Sequence, residues 1–240
     1  MTTEHTVKSF DEELQHLTKV IENMGALVEG GLQSAMQALI RRNVELSNQV
    51  MQSDSAIDEL EHQVSALSVR LLALRQPVAQ DLREIVGALK ISSDLERIGD
   101  YAANIGKRVI AIAQANPFPL PASLPRMGWL GQKIVRDALQ AYVGRDAAKA
   151  DAARMSDEEI DATYNGLFRE LLTHMMEDPR NISACTHLLF VARNIERIGD
   201  HATNIAETIH YIVLGETLAT ARPKGDNTAY VTIPAGKPGA

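Results

Sequence analysis

The sequence predicts an all-α protein: a tandem repeat of two three-helix bundles, with six long helices plus short connecting helices. Three observations carry that expectation. Asp94-Leu95-Glu96-Arg97-Ile98-Gly99-Asp100-Tyr101-Ala102-Ala103-Asn104-Ile105 returns one hundred residues later as Asn194-Ile195-Glu196-Arg197-Ile198-Gly199-Asp200-His201-Ala202-Thr203-Asn204-Ile205, and eight of the twelve pairs are identical. A repeat that close means two copies of one unit. Apolar residues recur at three-four spacing through long segments, the period of an amphipathic helix. Aromatics make up only 4% of the 240 residues against 45% hydrophobic, so the core rests on Leu, Ile, Val, Met and Ala, which suit helices better than sheets.

The repeat sets the boundaries. At the same offset Arg70-Leu71-Leu72 meets Glu170-Leu171-Leu172; further back the offset is 103, pairing Met24-Gly25 with Met127-Gly128 and Ser53-Asp54 with Ser156-Asp157. The expected domains are a first bundle over 1–115, a proline-rich linker over 116–125, a second bundle over 126–216 and a disordered tail over 217–240.

The elements follow in order. From Phe10 the apolar positions Leu14, Leu17, Ile21, Met24, Val28, Leu32, Ala35 and Leu39 define a long first helix. Gly25, Gly30 and Gly31 each weaken it by about 1 kcal/mol relative to Ala, and offer places where another helix can come close. Asn43 and its repeat partner Asp146 read as N-caps of a short helix after a break. Ser53-Asp54 then open the second helix, carried by Ile57, Leu60, Val64, Leu67, Leu71 and Leu74 and stopped at Gln76-Pro77. A third helix from near Asp81 has the stripe Ile91, Leu95, Ile98, Ala102, Ile105, Val109 and Ile112. Four prolines between Asn116 and Pro125 exclude a helix there. In the second half a helix starts near Met127, a short one follows Asp146, another runs from Asp157 to Asp178-Pro179, and the last spans Ile182 to Leu214 before Gly215. No proline is expected inside any of these helices. In the tail, Ala229-Tyr230-Val231-Thr232-Ile233 has the composition of a short extended piece.

Composition narrows the function. A net charge of −7 argues against a nucleic-acid footprint, which needs clustered Lys and Arg. The single Cys185 excludes an internal disulfide and is expected to be a small buried hydrophobe. No apolar run approaches the roughly 18 residues of a membrane span, and Met1-Thr2-Thr3-Glu4-His5 lacks the opening of a signal peptide. The expectation is a soluble, intracellular protein. P-loop, Gly-x-Ser-x-Gly and Cys/His metal spacings are absent from the sequence.

Acidic residues four apart occur as Asp54/Asp58, Glu96/Asp100, Asp157/Asp161 and Glu196/Asp200. Their number is what chance supplies in so acidic a chain; their placement is not, because each half holds two pairs at repeat-equivalent positions. Residues i and i+4 share a helix face, and paired like charges there are destabilising unless a cation joins them. In the first half the two pairs lie about 22 residues before and about 20 after the turn at Val78, hence at one height on an antiparallel hairpin rising about 1.5 Å per residue. The second half repeats this around Pro179. Four carboxylates per half favour hard or borderline cations such as Mg²⁺, Mn²⁺ or iron. Glu96 and Asp100 lie off the apolar stripe, so a surface cluster is expected. The competing reading of the same residues is structural: Asp54 and Asp157 as caps, Asp58 and Asp161 as first-turn acids, Glu96/Asp100 as a solvated face. Glu-x-x-His, the di-iron spacing, occurs at Glu13/His16, Glu59/His62 and Glu207/His210, but the repeat breaks it at Ala162/Asn165 and Lys107/Ile110. His201, in place of Tyr101, reads as a satisfied or exposed histidine.

The run Leu71-Leu72-Ala73-Leu74-Arg75-Gln76-Pro77-Val78-Ala79-Gln80-Asp81-Leu82-Arg83, with the two Glu-Arg-Ile-Gly-Asp segments, resembles the PhoU family of phosphate-transport regulators over nearly the whole chain except the tail. The resemblance implies tandem three-helix bundles in a cytoplasmic, often dimeric protein. It implies a negative regulator of the phosphate-starvation response, an adaptor that is not an enzyme and links a phosphate ABC transporter ATPase to a sensor histidine kinase, reaching the membrane only through those partners. It also implies multinuclear metal clusters (Fe, Mn, Mg or Zn) at Asp54, Asp58, Glu96, Asp100, Asp157, Asp161, Glu196 and Asp200. The alternative, from the residues alone, is a metal-dependent enzyme using the paired carboxylates.

Overall fold

The computed structural model describes residues 2–115 and 118–218, with side chains from residue 10 onward. In the first half α1 (Thr2–Arg41), α2 (Val44–Arg75) and α3 (Ala79–Gln114) follow one another; in the second, α4 (Ser123–Gly144), α5 (Ala147–Met155), α6 (Asp157–Glu177), a 3₁₀ turn (Pro179–Asn181) and α7 (Ile182–Leu214). This is the all-α tandem arrangement predicted. The tail lies outside the described residues beyond Leu218, and with it the stretch Ala229–Ile233.

Three boundaries differ from expectation, each for a local reason. Asn43 caps α2 through its side chain, which accepts from Leu46 N at 3.0 Å, yet α2 is a single helix rather than a short one followed by another. Ser53 does not cap: its hydroxyl donates to Val50 O at 2.8 Å, inside the same helix. The equivalent break exists only in the second half, between α5 and α6, where Asp157, Glu158 and Glu159 crowd the first turn of α6. Three acids at a helix start are favoured by its dipole, and α2 has only Asp54 at those positions. Asp54 is therefore not a cap. The third difference is Pro125, which lies inside the first turn of α4, where the backbone N–H it lacks has no helical partner anyway. The left-handed backbone at Gln76 (φ 46°) and Gly215 (φ 77°) ends α2 and α7 where the sequence placed their ends.

The central helices α3 and α7 cross the middle of the molecule antiparallel to each other: Gly87 faces Ile212, and Asp94 and Tyr101 both reach His201. Around them the repeat generates a pseudo-two-fold. A Cβ on Gly25 of α1 would stand 2.5 Å from Leu139 Cδ2 of α4, and a Cβ on Gly128 of α4 would overlap Met36 of α1. Gly25 and Gly128 are repeat partners, as are Met36 and Leu139, so each half offers a glycine to the other half's large side chain. Gly30 and Gly31 have open space and bring nothing closer. The core is one continuous cluster through both halves, including Ile21, Met24, Ile91, Leu95 and Ile98 with Met127, Ile134, Val191, Ile195 and Ile198. Fully burying each such side chain is worth about 1.5–3 kcal/mol, which is what holds the carboxylate-bearing helices in register. Cys185 is buried in that core.

Candidate metal centre

The hairpin geometry inferred from sequence is realised in the first half. Gly99 faces Ile57 and Gly106 faces Ser47, so α3 runs back along α2 and sets Glu96/Asp100 level with Asp54/Asp58. The glycine of Glu-Arg-Ile-Gly-Asp makes this approach possible, since a Cβ there would lie 2.8 Å from Ile57 Cδ1 and 3.3 Å from Asp54 Oδ1. Only a bare backbone lets the Asp54 carboxylate lie against α3. In the second half Gly199 gives Asp157 the same cradle, and a Cβ would overlap Asp157 Oδ1 outright.

The carboxylates press on one another. Burial raises the Asp54 carboxyl above its usual range, and the charges of Asp100 and Asp58 add to it; burial and Asp100 do the same to Glu96. In the second half Glu196 is pushed up to about 7, first by burial and then by Asp200, with Asp161 contributing and Arg193 and Arg197 opposing. Arginines bind these charges. Arg97 bridges Glu96 at 3.4 Å and Asp100 at 3.1 Å, and Arg193 Nη1 donates to Glu196 Oε1 at 3.1 Å. Glu196 Oε2 is buried and accepts no hydrogen bond; Arg197 Nε stands 4.0 Å from it.

The eight predicted residues thus fall into two separate sets, one between α2 and α3 and one between α6 and α7. The surface location expected for both holds only for the first, where the Glu96 and Asp100 side chains are 25% and 39% exposed. Asp157, Asp161 and Glu196 are buried at 2%, 3% and 5%. The apolar stripe describes one face of a helix, whereas α7 is packed on several sides by α3, α4, α5 and α6. Among the described residues no three His, Cys, Asp or Glu side chains converge as a ready-made cation site. Guanidinium groups lie against three of these carboxylates instead, Arg97 on Glu96 and Asp100 and Arg193 on Glu196.

Three of the Glu-x-x-His residues are engaged elsewhere. Glu13 accepts from Arg75 at 2.9 Å, Glu207 from Arg154 at 2.9 Å, and His210 pairs with Asp151 at 2.9 Å. Sequence reasoning missed Glu61, whose charge acts on Glu96. It lies three residues beyond Asp58 on the same face, a spacing a search restricted to i,i+4 cannot find. It also missed the Asp94 contact to His201 Nδ1 at 2.7 Å, which joins the two halves.

Fold and site define the class: a duplicated helical-bundle protein with a carboxylate set between two long helices of each half. The PhoU domain family model matches residues 21–109 and 124–209, one match per half. The chain belongs to the PhoU family. It is similar to the phosphate-specific transport system accessory protein PhoU homologue of Caulobacter vibrioides, 52% identical over 93% of this chain and 98% of the relative. The homologue of the same description from Rhizobium meliloti is 47% identical over 95% and 97%. The crystal structure of PhoU from Pseudomonas aeruginosa superposes with a TM-score of 0.84 at 40% identity, covering 86% of this chain and all of that one. The phosphate transport system regulatory protein PhoU from Streptococcus pneumoniae gives 0.81 at 32% identity, covering 88% and 100%. No described helix is long and apolar enough to cross a membrane.

Proposed function

We propose that this chain is a non-enzymatic regulator of a phosphate-specific transport system, a cytoplasmic adaptor between the transporter's ATPase and a sensor histidine kinase, acting as a homodimer. The observation that carries the reading is the end-to-end match to relatives named as accessory proteins of such a system. The chain's features agree with it: long helical faces and no assembled nucleophile set in the sequence. In a Caulobacter vibrioides strain lacking its own homologue, this chain is expected to restore normal phosphate uptake and to repress a phosphate-starvation reporter. Stable expression with neither effect would sink the reading. Capture of the ATPase and the kinase on the tagged chain tests the two contacts.

The same reading gives the carboxylates a cation. The fit is supported by the buried Glu196 Oε2 without a hydrogen bond, by the glycine cradles under Asp54 and Asp157, and by donor sets made only of oxygen. Asp54, Asp58, Glu96 and Asp100 would hold it in the first half, and Asp157, Asp161, Glu196 and Asp200 in the second. Mg²⁺, Mn²⁺, Zn²⁺ and iron are the ions such oxygens admit, and the charge they supply would relieve the repulsion. A second reading, a metal-dependent enzyme, is favoured by one observation, the Glu196 carboxyl at about 7, a value suited to proton transfer. Turnover of phosphate esters by Mn²⁺- or Fe²⁺-loaded protein, lost on Glu196→Ala, is its test.

A further inference from the structure

Repeat symmetry gives the channel between α3 and α7 two equivalent ends. Tyr101 and His201 are repeat partners whose ring centroids lie 5.6 Å apart, so the pseudo-two-fold passes between them. At one end an open groove of about 1330 Å³ is lined by Gly87, Lys90 and Ser93 of α3 and by Thr208 and Tyr211 of α7. The repeat partners of these residues at the other end are His187, Phe190, Arg193, Arg108 and Ala111. There the Arg108 guanidinium carbon stands 4.2 Å from the Phe190 ring centroid, so a stacked pair bridges the two helices. The ends differ in charge as well. In the groove the carboxylates Asp94, Asp200 and Glu207 outnumber the cations Lys90 and Arg197. At the repeat-equivalent positions the bridged end sets Arg97, Lys107, Arg108 and Arg193 against Asp100.

We propose that the open groove is the docking site of the chain's own segment beyond Leu218, residues 219–233. Thr217 and Leu218, the last described residues, themselves line the groove, so the chain continues from inside it. Arg222 and Lys224 follow, with Asp226 as the one acid before Ala229-Tyr230-Val231-Thr232-Ile233. A segment with this excess of cations is drawn to the acidic end of the channel and repelled by the basic, bridged one. Val86, Leu89 and Tyr211 offer an apolar wall for Tyr230, Val231 and Ile233. Ser93, Asn204 and Thr208 bring hydroxyl and amide groups to the same groove, the partners an extended backbone requires. Reach is ample: extended, the chain from Leu218 to Ala229 spans about 36 Å, whereas Gly87 to Tyr101 is about 21 Å along α3. Tethering supplies an effective concentration on the order of 1 mM, so weak contacts suffice. The chain thus covers the open end of its own central channel, and a partner for that face must first displace it.

The test is limited trypsin digestion of the full-length chain, following cleavage after Lys224 by mass spectrometry; Arg222 precedes a proline and is not cut. Cleavage of a segment that opens and recloses rapidly tracks the population of its open form, so wild type is expected to be cut at least about tenfold more slowly than a synthetic peptide of residues 219–240. Tyr230→Ser/Ile233→Ser, which changes the segment alone, is expected to bring the rate up to that of the peptide. Lys90→Phe/Thr208→Arg, which installs the bridge of the other end in the groove, is expected to do the same, with circular dichroism checking its helicity. Ser93→Arg, a single substitution at an exposed position taken from the repeat, reads the groove independently where the double variant misfolds. A wild-type chain cut as fast as the free peptide overturns the proposal and leaves the groove to a segment of a partner. Protection that survives the changes in the groove overturns it too, since the segment then lies elsewhere.

Discussion

The carboxylate of Asp157 occupies the space that a side chain on Gly199 would need. Two helices of the second half meet there with a buried carboxyl group pressed on bare backbone, and Asp54 against Gly99 repeats the contact in the first half. The glycine in each Glu-Arg-Ile-Gly-Asp segment is thus a packing requirement of the site. It is not a flexible point in the helix.

Gly199→Ala should therefore destabilise the protein by about 1–3 kcal/mol, an overpacking cost that exceeds the gain of about 1 kcal/mol in helix propensity. Gly99→Ala should cost less, since its Cβ would meet the Ile57 Cδ1 methyl at 2.8 Å and Asp54 at 3.3 Å. Gly31→Ala, with open space around it, should stabilise by up to about 1 kcal/mol. Urea unfolding of the three variants checks the order, and a stabilised Gly199→Ala would refute the cradle.

Stability of the metal-free protein should fall as pH rises through the Glu196 transition. Its carboxyl stands at about 7 in the folded state against 4.5 ordinarily, so below 4.5 both states are protonated and nothing is lost. Between those values the unfolded chain has ionised while the folded one keeps its proton, and stability declines until about pH 7. The loss is on the order of 3 kcal/mol. Thermal melts from pH 5 to 8 should show the decline, and Glu196→Gln should flatten it. An unchanged slope in that variant assigns the effect elsewhere.

Asp58→Ala combined with Asp100→Ala should reduce cation binding in the first half with helicity intact, because Asp58 is exposed and the Asp100 side chain is 39% exposed. Elemental analysis of protein purified from metal-replete cells reads it directly. Full retention of metal would remove the first carboxylate set from consideration.

Asp94→Asn should loosen the joint between the halves. Asp94 Oδ1 takes His201 Nδ1 at 2.7 Å and Asn204 Nδ2 at 3.3 Å, tying α3 to α7. Loss of the charge should cost about 1 kcal/mol, the worth of a partly buried hydrogen-bonded pair. Amide exchange should rise on both central helices, and an increase confined to one of them would contradict a shared joint.

The helices, the duplication and the level at which the acids meet were legible in the residues, because they follow from local rules. The three-four spacing of Ile91 to Ile112 needs a helix, Pro77 must end one, and an antiparallel turn puts residues equidistant from it side by side. The errors at Ser53 and Pro125 concern a hydroxyl that bonds within its own helix and a ring tolerated in a first turn, outcomes decided by one or two hydrogen bonds. The difference between the two carboxylate sets emerged only from the packing of the helices. Burial of Asp157, Asp161 and Glu196 depends on how many helices cover α7, and the approach of Arg193 to the Tyr164 ring joins side chains of two different helices. Repeat symmetry cannot convey either, since electrostatic environment belongs to the surroundings of a residue and not to its motif.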